Sequence, residues 1–151
     1  MSALSAPTTA RRVGRQLLTV VLAVITLAIA ALLAWATLAT PLADELPDLP
    51  DEPDMINDLP ANLTWLLLIG IAIVSWRQLG IGLVTAAGSA AAVLLVAYVE
   101  ASRFAADGIG GSALVLIFVI AVIEAGSFVA VGIATGVFGW HQRAKLRAVG
   151  G

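Results

Sequence analysis

The sequence predicts an all-α integral membrane protein, a bundle of four transmembrane helices. Of its 151 residues, 60% are hydrophobic and only 12% are charged, and the mean hydropathy is +1.01. A typical soluble domain carries about 25% charged residues. Four apolar segments account for most of the chain, and all charges but one lie at the ends of these segments or between them. The whole chain, residues 1–151, is therefore expected to form a single membrane domain.

The first apolar segment, residues 17–40, follows a short tail that contains Arg11, Arg12 and Arg15. A hydrocarbon core about 30 Å thick needs about 20 helical residues, so this segment can cross it. A basic start, an apolar run and small residues also describe a secretory signal, in which case residues 1–36 would be removed. The apolar region of a signal has only about 7–15 residues, so the greater length favours an uncleaved helix.

The connection over residues 41–62 is acidic and rich in proline, with five prolines, seven acids and no base. Proline lacks an N–H group and fixes φ, so we expect an extended, polyproline-like path. The segment is interpreted as a stiff, solvated connector, and a loop that binds cations or a partner is the alternative. Asn62-Leu63-Thr64 is formally a glycosylation sequon, but its position beside the next helix argues against modification.

Three further helices are predicted at about residues 60–76, 80–99 and 112–140. The first of these is short, and it spans a membrane only with the reach of Arg77 and local thinning of the bilayer. Because about four residues, from Arg77 to Gly80, separate it from the next helix, the two should form a tight antiparallel hairpin. A polar connection from Glu100 to Gly111 leads to the last helix.

The distribution of charge predicts the orientation. With four crossings, one side receives both termini, seven of the eight basic residues and no acid. The other side receives nine of the ten acids and only one base, Arg103. By the positive-inside rule, both termini are cytoplasmic and the loop 41–62 is external, in the cell membrane or a membrane envelope. The seven basic residues on the side predicted to be cytoplasmic are Arg11, Arg12, Arg15, Arg77, Arg143, Lys145 and Arg147.

Aromatic residues agree with these boundaries. Each of the four tryptophans lies near a predicted edge of the membrane, where an indole ring with its single N–H donor is favoured. They are Trp35, Trp65, Trp76 and Trp140.

One acid, Glu124, lies inside an apolar segment, near the predicted midplane. A central acid costs about 2.5–3.5 kcal/mol on insertion scales and usually faces the interior of a bundle. Ser127 and Thr135 share its helical face. Since Ser89 is predicted at the same depth, we expect Ser89, or Thr26 of the first helix, to hydrogen-bond the carboxyl group.

Small residues mark the surfaces where helices are expected to approach closely. Gly132 and Gly136 form a G-x-x-x-G spacing on the last helix, beside the face that carries Glu124. The third helix presents Gly88 and Ala92 beside Ser89. These four small residues are the predicted helix-packing positions.

Several classes of function lack support in the sequence. There is no cysteine and a single histidine, and no phosphate loop, set of metal ligands, pair of catalytic acids or nucleophile triad is found. We therefore expect no catalytic residue, no metal, no cofactor and no nucleic-acid partner. The basic tail alone carries too few cations for a lipid-binding cluster, and membrane orientation explains it.

The sequence leaves two functions open. The first is a structural, accessory or assembly component of a membrane or envelope complex, without catalysis, whose partners are the lipid bilayer and other membrane subunits or further copies of itself. The alternative is a homo-oligomeric channel or transporter for ions or protons that uses Glu124.

Overall fold

The computed structural model describes residues 6–43, 59–106 and 111–149, which form four α-helices. They are α1 (Ala6–Ala43), α2 (Leu59–Arg77), α3 (Leu79–Ala106) and α4 (Gly111–Val149). The polyproline-like path predicted for residues 41–62 was wrong at both ends, because residues 41–43 belong to α1 and residues 59–62 belong to α2. Residues 44–58 lie outside the described residues.

Three of the helices are long and apolar enough to cross a membrane. Their apolar spans are Arg12–Ala36 in α1, Leu79–Arg103 in α3 and Leu114–Ala148 in α4. The apolar part of α2, Leu63–Arg77, is shorter than these spans. The described part of the chain is thus all-helical, and three of its helices are suited to a membrane.

The helices extend beyond the apolar segments from which they were predicted. Residues 6–16 of the basic tail belong to α1, residues 100–106 belong to α3, and residues 141–149 belong to α4. These flanks are rich in Ala, Arg, Gln and Lys, which favour helix in water as well as in lipid. At 1.5 Å per residue, α4 is about 58 Å long, well beyond a hydrocarbon core of about 30 Å. Hydropathy therefore predicts the membrane-spanning part and not the helix ends.

The connection between α2 and α3 is a single residue, Gln78, and not the expected stretch of four. The N–H of Gln78 donates to the carbonyl of Val74 at 2.8 Å, and the N–H of Gly82 donates to the carbonyl of Gln78 at 2.9 Å. The backbone hydrogen bonds of α2 and of α3 thus both extend to Gln78, and we call this tight connection between the two helices the corner. The corner closes because residue 82 has no side chain: a Cβ there would overlap the backbone and hydroxyl of Ser75.

The helices pack with α2 and α3 in the centre. Each of these two contacts all three other helices, whereas α1 and α4 make no contact with each other between their described backbones. Hydrogen bonds from Arg77 to Thr19 and from Arg103 to the carbonyl of Leu38 show that α1 runs antiparallel to α2 and parallel to α3. We call the end near Arg77 the basic end and the end near Glu100 the acidic end.

The core combines large side chains with small ones. Phe128 of α4 is fully buried, as are Leu67 and Ile71 of α2 and Ala86 of α3. Ala30 and Leu33 of α1 complete the cluster on the other side, together with Leu63. Small residues on α1 and α3 leave room for the aromatic ring, so all four helices share one core.

We expect Gly82→Ala to destabilise the protein by about 1–3 kcal/mol, because the new methyl group meets the backbone of Ser75, which cannot rotate away. Thermal unfolding in mild detergent measures the effect as a fall in Tm of several degrees. The matched control is Gly80→Ala, two residues earlier on the same helix, where a Cβ meets nothing within 4 Å. An equal loss in both variants would contradict the tight corner.

Candidate functional site

The intramembrane acid, Glu124, accepts a hydrogen bond from α2. The hydroxyl of Thr64 donates to Oε1 of Glu124 at 2.8 Å, and both side chains are half-buried. The sequence includes Thr64 only as the last residue of a sequon, and no pattern pointed to it as the partner. A contact between residues 60 positions apart depends on the packing of α4 against α2.

The prediction that Ser89 or Thr26 binds this carboxyl group was wrong. The hydroxyl of Ser89 donates to the carbonyl of Thr85 at 3.0 Å, and that of Thr26 donates to the carbonyl of Leu22 at 2.8 Å. Each hydroxyl is thus satisfied within its own helix. Serine and threonine commonly bond in this way to the carbonyl four residues earlier.

The physical reason is a difference in depth. The prediction counted Ser89 and Glu124 from the ends of the apolar segments, where their depths nearly coincide. Counted from the observed helix ends, Ala106 for Ser89 and Gly111 for Glu124, they differ by about four residues. At 1.5 Å per residue this is roughly 6 Å, too far for a direct hydrogen bond.

The contact with Thr64 also bears on the predicted position of Glu124 near the midplane. Its partner Thr64 lies in the second turn of α2, near the acidic end, and Arg77 lies at the other end of that helix. The helical rise separates Thr64 from Arg77 by about 20 Å. Measured from Arg77 across a core of about 30 Å, the carboxyl group would lie about 5 Å past the midpoint, on the side of the acidic end.

A groove of about 370 Å³ adjoins this carboxyl group. All four helices contribute to its walls, which are mostly apolar, with Leu33, Leu67 and Ala121 among the lining residues. Its polar groups are Thr64, Glu124 and Glu100, the last toward the acidic end. We call this space the acidic groove. It can accept an apolar body next to two carboxyl groups.

Glu100 is itself tied to the helix packing. It forms an ion pair at 3.0 Å with Arg103, one turn later on α3. Arg103 also donates to the carbonyl of Leu38 near the end of α1, at 3.3 Å. The pair is partly exposed, so its contribution to stability is modest. Within the described residues, no three His, Cys, Asp or Glu side chains are grouped to hold a metal ion.

The other predicted polar residues of α4 do not join Glu124. Ser127 is exposed and donates to the carbonyl of Ile123 at 2.8 Å. Thr135 is half-buried and donates to the carbonyl of Val131 at 2.6 Å. Neither residue lines the acidic groove, so the predicted polar stripe divides into separate, locally satisfied hydroxyls.

Buried hydroxyl groups continue from the level of the groove toward the basic end. In the described part of the chain they belong to Thr19, Thr26, Ser75, Thr85 and Ser89. All but one donate to a carbonyl of their own helix. The exception is Ser75, whose buried oxygen has no hydrogen-bond partner among the described residues.

The glycines of α4 lie against the corner between α2 and α3. A Cβ at Gly132 would approach α3 to 3.1 Å, and one at Gly136 would overlap the side chain of Leu79. Gly139 lies closest to backbone: a Cβ there would be 2.7 Å from the carbonyl oxygen of Trp76. The contact surface therefore includes the predicted pair and extends one turn beyond it.

The predicted small residues of α3 lie in two different places. Gly88 faces α1, where a Cβ would lie 2.8 Å from the side chain of Leu27. Ala92 lines the acidic groove. On the neighbouring face of α1, Thr26 packs against Gly70 of α2, where a Cβ would lie 2.5 Å from its hydroxyl. Thr26 is thus in a helix contact and not in a contact with the acid.

We expect Thr64→Val, which keeps the shape of the side chain but removes the donor, to lower the free energy of unfolding by about 0.5–1.5 kcal/mol. A double-mutant cycle with Glu124→Ala in mild detergent isolates the pair. The coupling energy should be near 1 kcal/mol for Thr64 and near zero for the same cycle with Ser89→Ala. A larger coupling to Ser89 would show that the carboxyl group points to α3.

No protein-family model, curated protein or solved structure matches the chain. The acidic groove and the glycine contacts are therefore interpreted from their own chemistry.

Proposed function

We propose that this protein is a membrane component without catalytic activity, an accessory, assembly or structural subunit that packs against a transmembrane helix of another protein or of a second copy. One observation carries the proposal. The face of α4 turned away from the other helices presents Gly126, Ala130 and Ala134, all exposed and spaced four residues apart.

This spacing is meaningful because lipid gives helices no hydrophobic reason to associate. Close backbone approach over small residues supplies the packing energy instead. The opposite edge of α4 uses the same chemistry inside the molecule, where Gly132 and Gly136 adjoin α3. At Gly126, by contrast, a Cβ would meet nothing within 4 Å. A partner helix laid along this second face would find the same kind of surface.

The proposal includes an orientation. All four helices cross the membrane, with α2 assisted by Arg77 at one edge, and both termini lie in the cytoplasm of the cell membrane or membrane envelope. The sequence supports this arrangement by placing seven of the eight basic residues at the basic end. Trp76 and Trp140 are both exposed near that end, where indole rings anchor helices in the headgroup region.

Replacing Ala130 by Leu should release the partner without unfolding the protein, because the added side chain keeps two helix backbones apart. Native lipid particles containing the tagged protein are extracted, and the co-purifying chains are identified and counted. The control is Ala28→Leu on the exposed face of α1, a helix that does not contact α4. We expect the wild type and the control to keep one partner in fixed ratio, and Ala130→Leu to lose most of it. If Ala130→Leu kept the partner as fully as the wild type and Ala28→Leu do, the result would contradict this interface.

The orientation is tested by cysteine labelling, since the chain has no cysteine of its own. Leu49→Cys, in the loop, should react with an impermeant thiol reagent added to intact cells. Lys145→Cys, at the basic end, should react only after the membrane is opened. The reverse pattern would invert the topology, and reaction of both cysteines from outside would show an even number of crossings between them.

A second function, an ion or proton pathway through a homo-oligomer, is favoured by the acidic groove. Glu124 and Glu100 both line it, and buried hydroxyls continue toward the basic end. The packing argues against a continuous path, because fully buried side chains fill the space between the helices. They belong to Ile71, Ala86 and Phe128. Ion or proton flux into vesicles that contain the purified protein separates the two functions. If the protein forms a proton pathway, the wild type should give flux and Glu124→Gln should abolish it. An accessory subunit should give no flux as the wild type or as Glu124→Gln.

A further inference from the structure

A second pocket, of about 360 Å³, lies at the basic end, and arginines from three helices line it. Arg12 and Arg15 come from α1, Arg77 from α2 and Arg147 from α4. We call this space the arginine pocket. The sequence analysis assigned these residues only to membrane orientation, since they are scattered along the chain.

The wall of the pocket on α1 and α2 is held by a buried hydroxyl group. Thr19 is only 1% exposed and donates to the carbonyl of Arg15 at 2.9 Å. The same oxygen accepts a hydrogen bond from Nε of Arg77 at 3.2 Å. This bond fixes the stem of the Arg77 side chain beside α1. Its two terminal nitrogens remain available for a planar, forked contact with an oxyanion.

The wall on α4 is positioned by a neighbouring arginine. The side chain of Arg143 donates to the carbonyls of Trp76 and Arg77, which lie at the end of α2 and lack partners within that helix. Arg147 follows Arg143 by four residues and so shares its face of the helix. The two hydrogen bonds of Arg143 fix this face of α4 against the end of α2 and thereby place Arg147 at the pocket.

Among the described residues, no acidic side chain lines the pocket with these four cations. Residues 1–43 and 125–151 contain no Asp or Glu. The nearest acid on α4, Glu124, bonds Thr64, about 20 Å from Arg77 along α2. Guanidinium groups that line one pocket repel one another, and the repulsion is stronger where the pocket excludes water. An anion in the pocket would replace this repulsion with attraction.

We propose that the arginine pocket binds a phosphate group, supplied by the headgroup of an anionic phospholipid or by a soluble phosphate. Guanidinium groups match phosphate oxygens in pairs, and basic pockets between helices at a membrane edge are suited to acidic headgroups. The exposed apolar side chains of Leu17 and Leu18 begin within one turn of Arg15, next to the pocket. Their position favours the lipid, whose acyl chains can lie along α1. The inference is independent of the partner helix proposed for α4.

The lipid source is tested with the full-length protein in mild detergent, titrated with phosphatidylglycerol or with phosphatidylcholine and observed by native mass spectrometry. We expect one phosphatidylglycerol to be retained in preference to phosphatidylcholine. Arg12→Gln combined with Arg147→Gln should weaken that binding by about tenfold or more. The matched control is Lys145→Gln, which removes one charge from the same helix but does not line the pocket, and it should change binding less than twofold.

The soluble source is tested with inorganic phosphate and with pyrophosphate. Each is added to protein in phosphatidylcholine nanodiscs, and protection of the pocket arginines from phenylglyoxal is mapped by peptide mass. Protection without any preference for phosphatidylglycerol would support a phosphate site filled from solution. Arg147→Lys keeps the positive charge but loses the paired, planar N–H donors of the guanidinium group. It should therefore weaken phosphate binding while leaving the fold unchanged.

Two results would overturn the proposal. One is the absence of both lipid preference and arginine protection. The other is a loss of binding in Lys145→Gln as large as that in the combined Arg12→Gln and Arg147→Gln variant, which would reduce the effect to net charge at the basic end.

Discussion

The close contact between α4 and the corner of α2 and α3 is the constraint on which the rest of the structure depends. Gly82 lets α2 and α3 meet with one connecting residue, and Gly139 lets α4 approach the carbonyl of Trp76. A side chain at either glycine would meet backbone, which yields far less readily than a rotamer. The contact therefore fixes the position of α4 along α2, and with it every pair of residues that these helices bring together.

Two sites at opposite ends follow from this single register. Toward the acidic end, it places Glu124 opposite Thr64 and beside the groove that Glu100 also lines. Toward the basic end, it places Arg143 on the last carbonyls of α2 and Arg147 over the arginine pocket. One end thus presents carboxylates and the other guanidinium groups, a polarity that suits a protein with a fixed orientation in a membrane.

The sequence was sufficient for features that depend on composition and local pattern, and insufficient for those that depend on register. The helical structure of the described residues, the apolar spans in α1, α3 and α4, and the presence of Glu124 within the last span followed from hydropathy and charge alone. The partner of Glu124 did not, because an error of about four residues in helix ends displaces a residue by roughly 6 Å. The arginine pocket was missed for a related reason: its residues come from three helices, and only packing reveals that they meet.

The most direct test of the register uses cysteine pairs in the native membrane, since the chain contains no cysteine. Thr64→Cys with Glu124→Cys and, as the comparison, Ser89→Cys with Glu124→Cys are treated with a short bifunctional thiol reagent, and linked peptides are quantified by mass spectrometry. The register described here predicts efficient linkage of positions 64 and 124 and little linkage of positions 89 and 124. Preferential linkage of 89 to 124 would contradict it and would remove the structural basis of both sites.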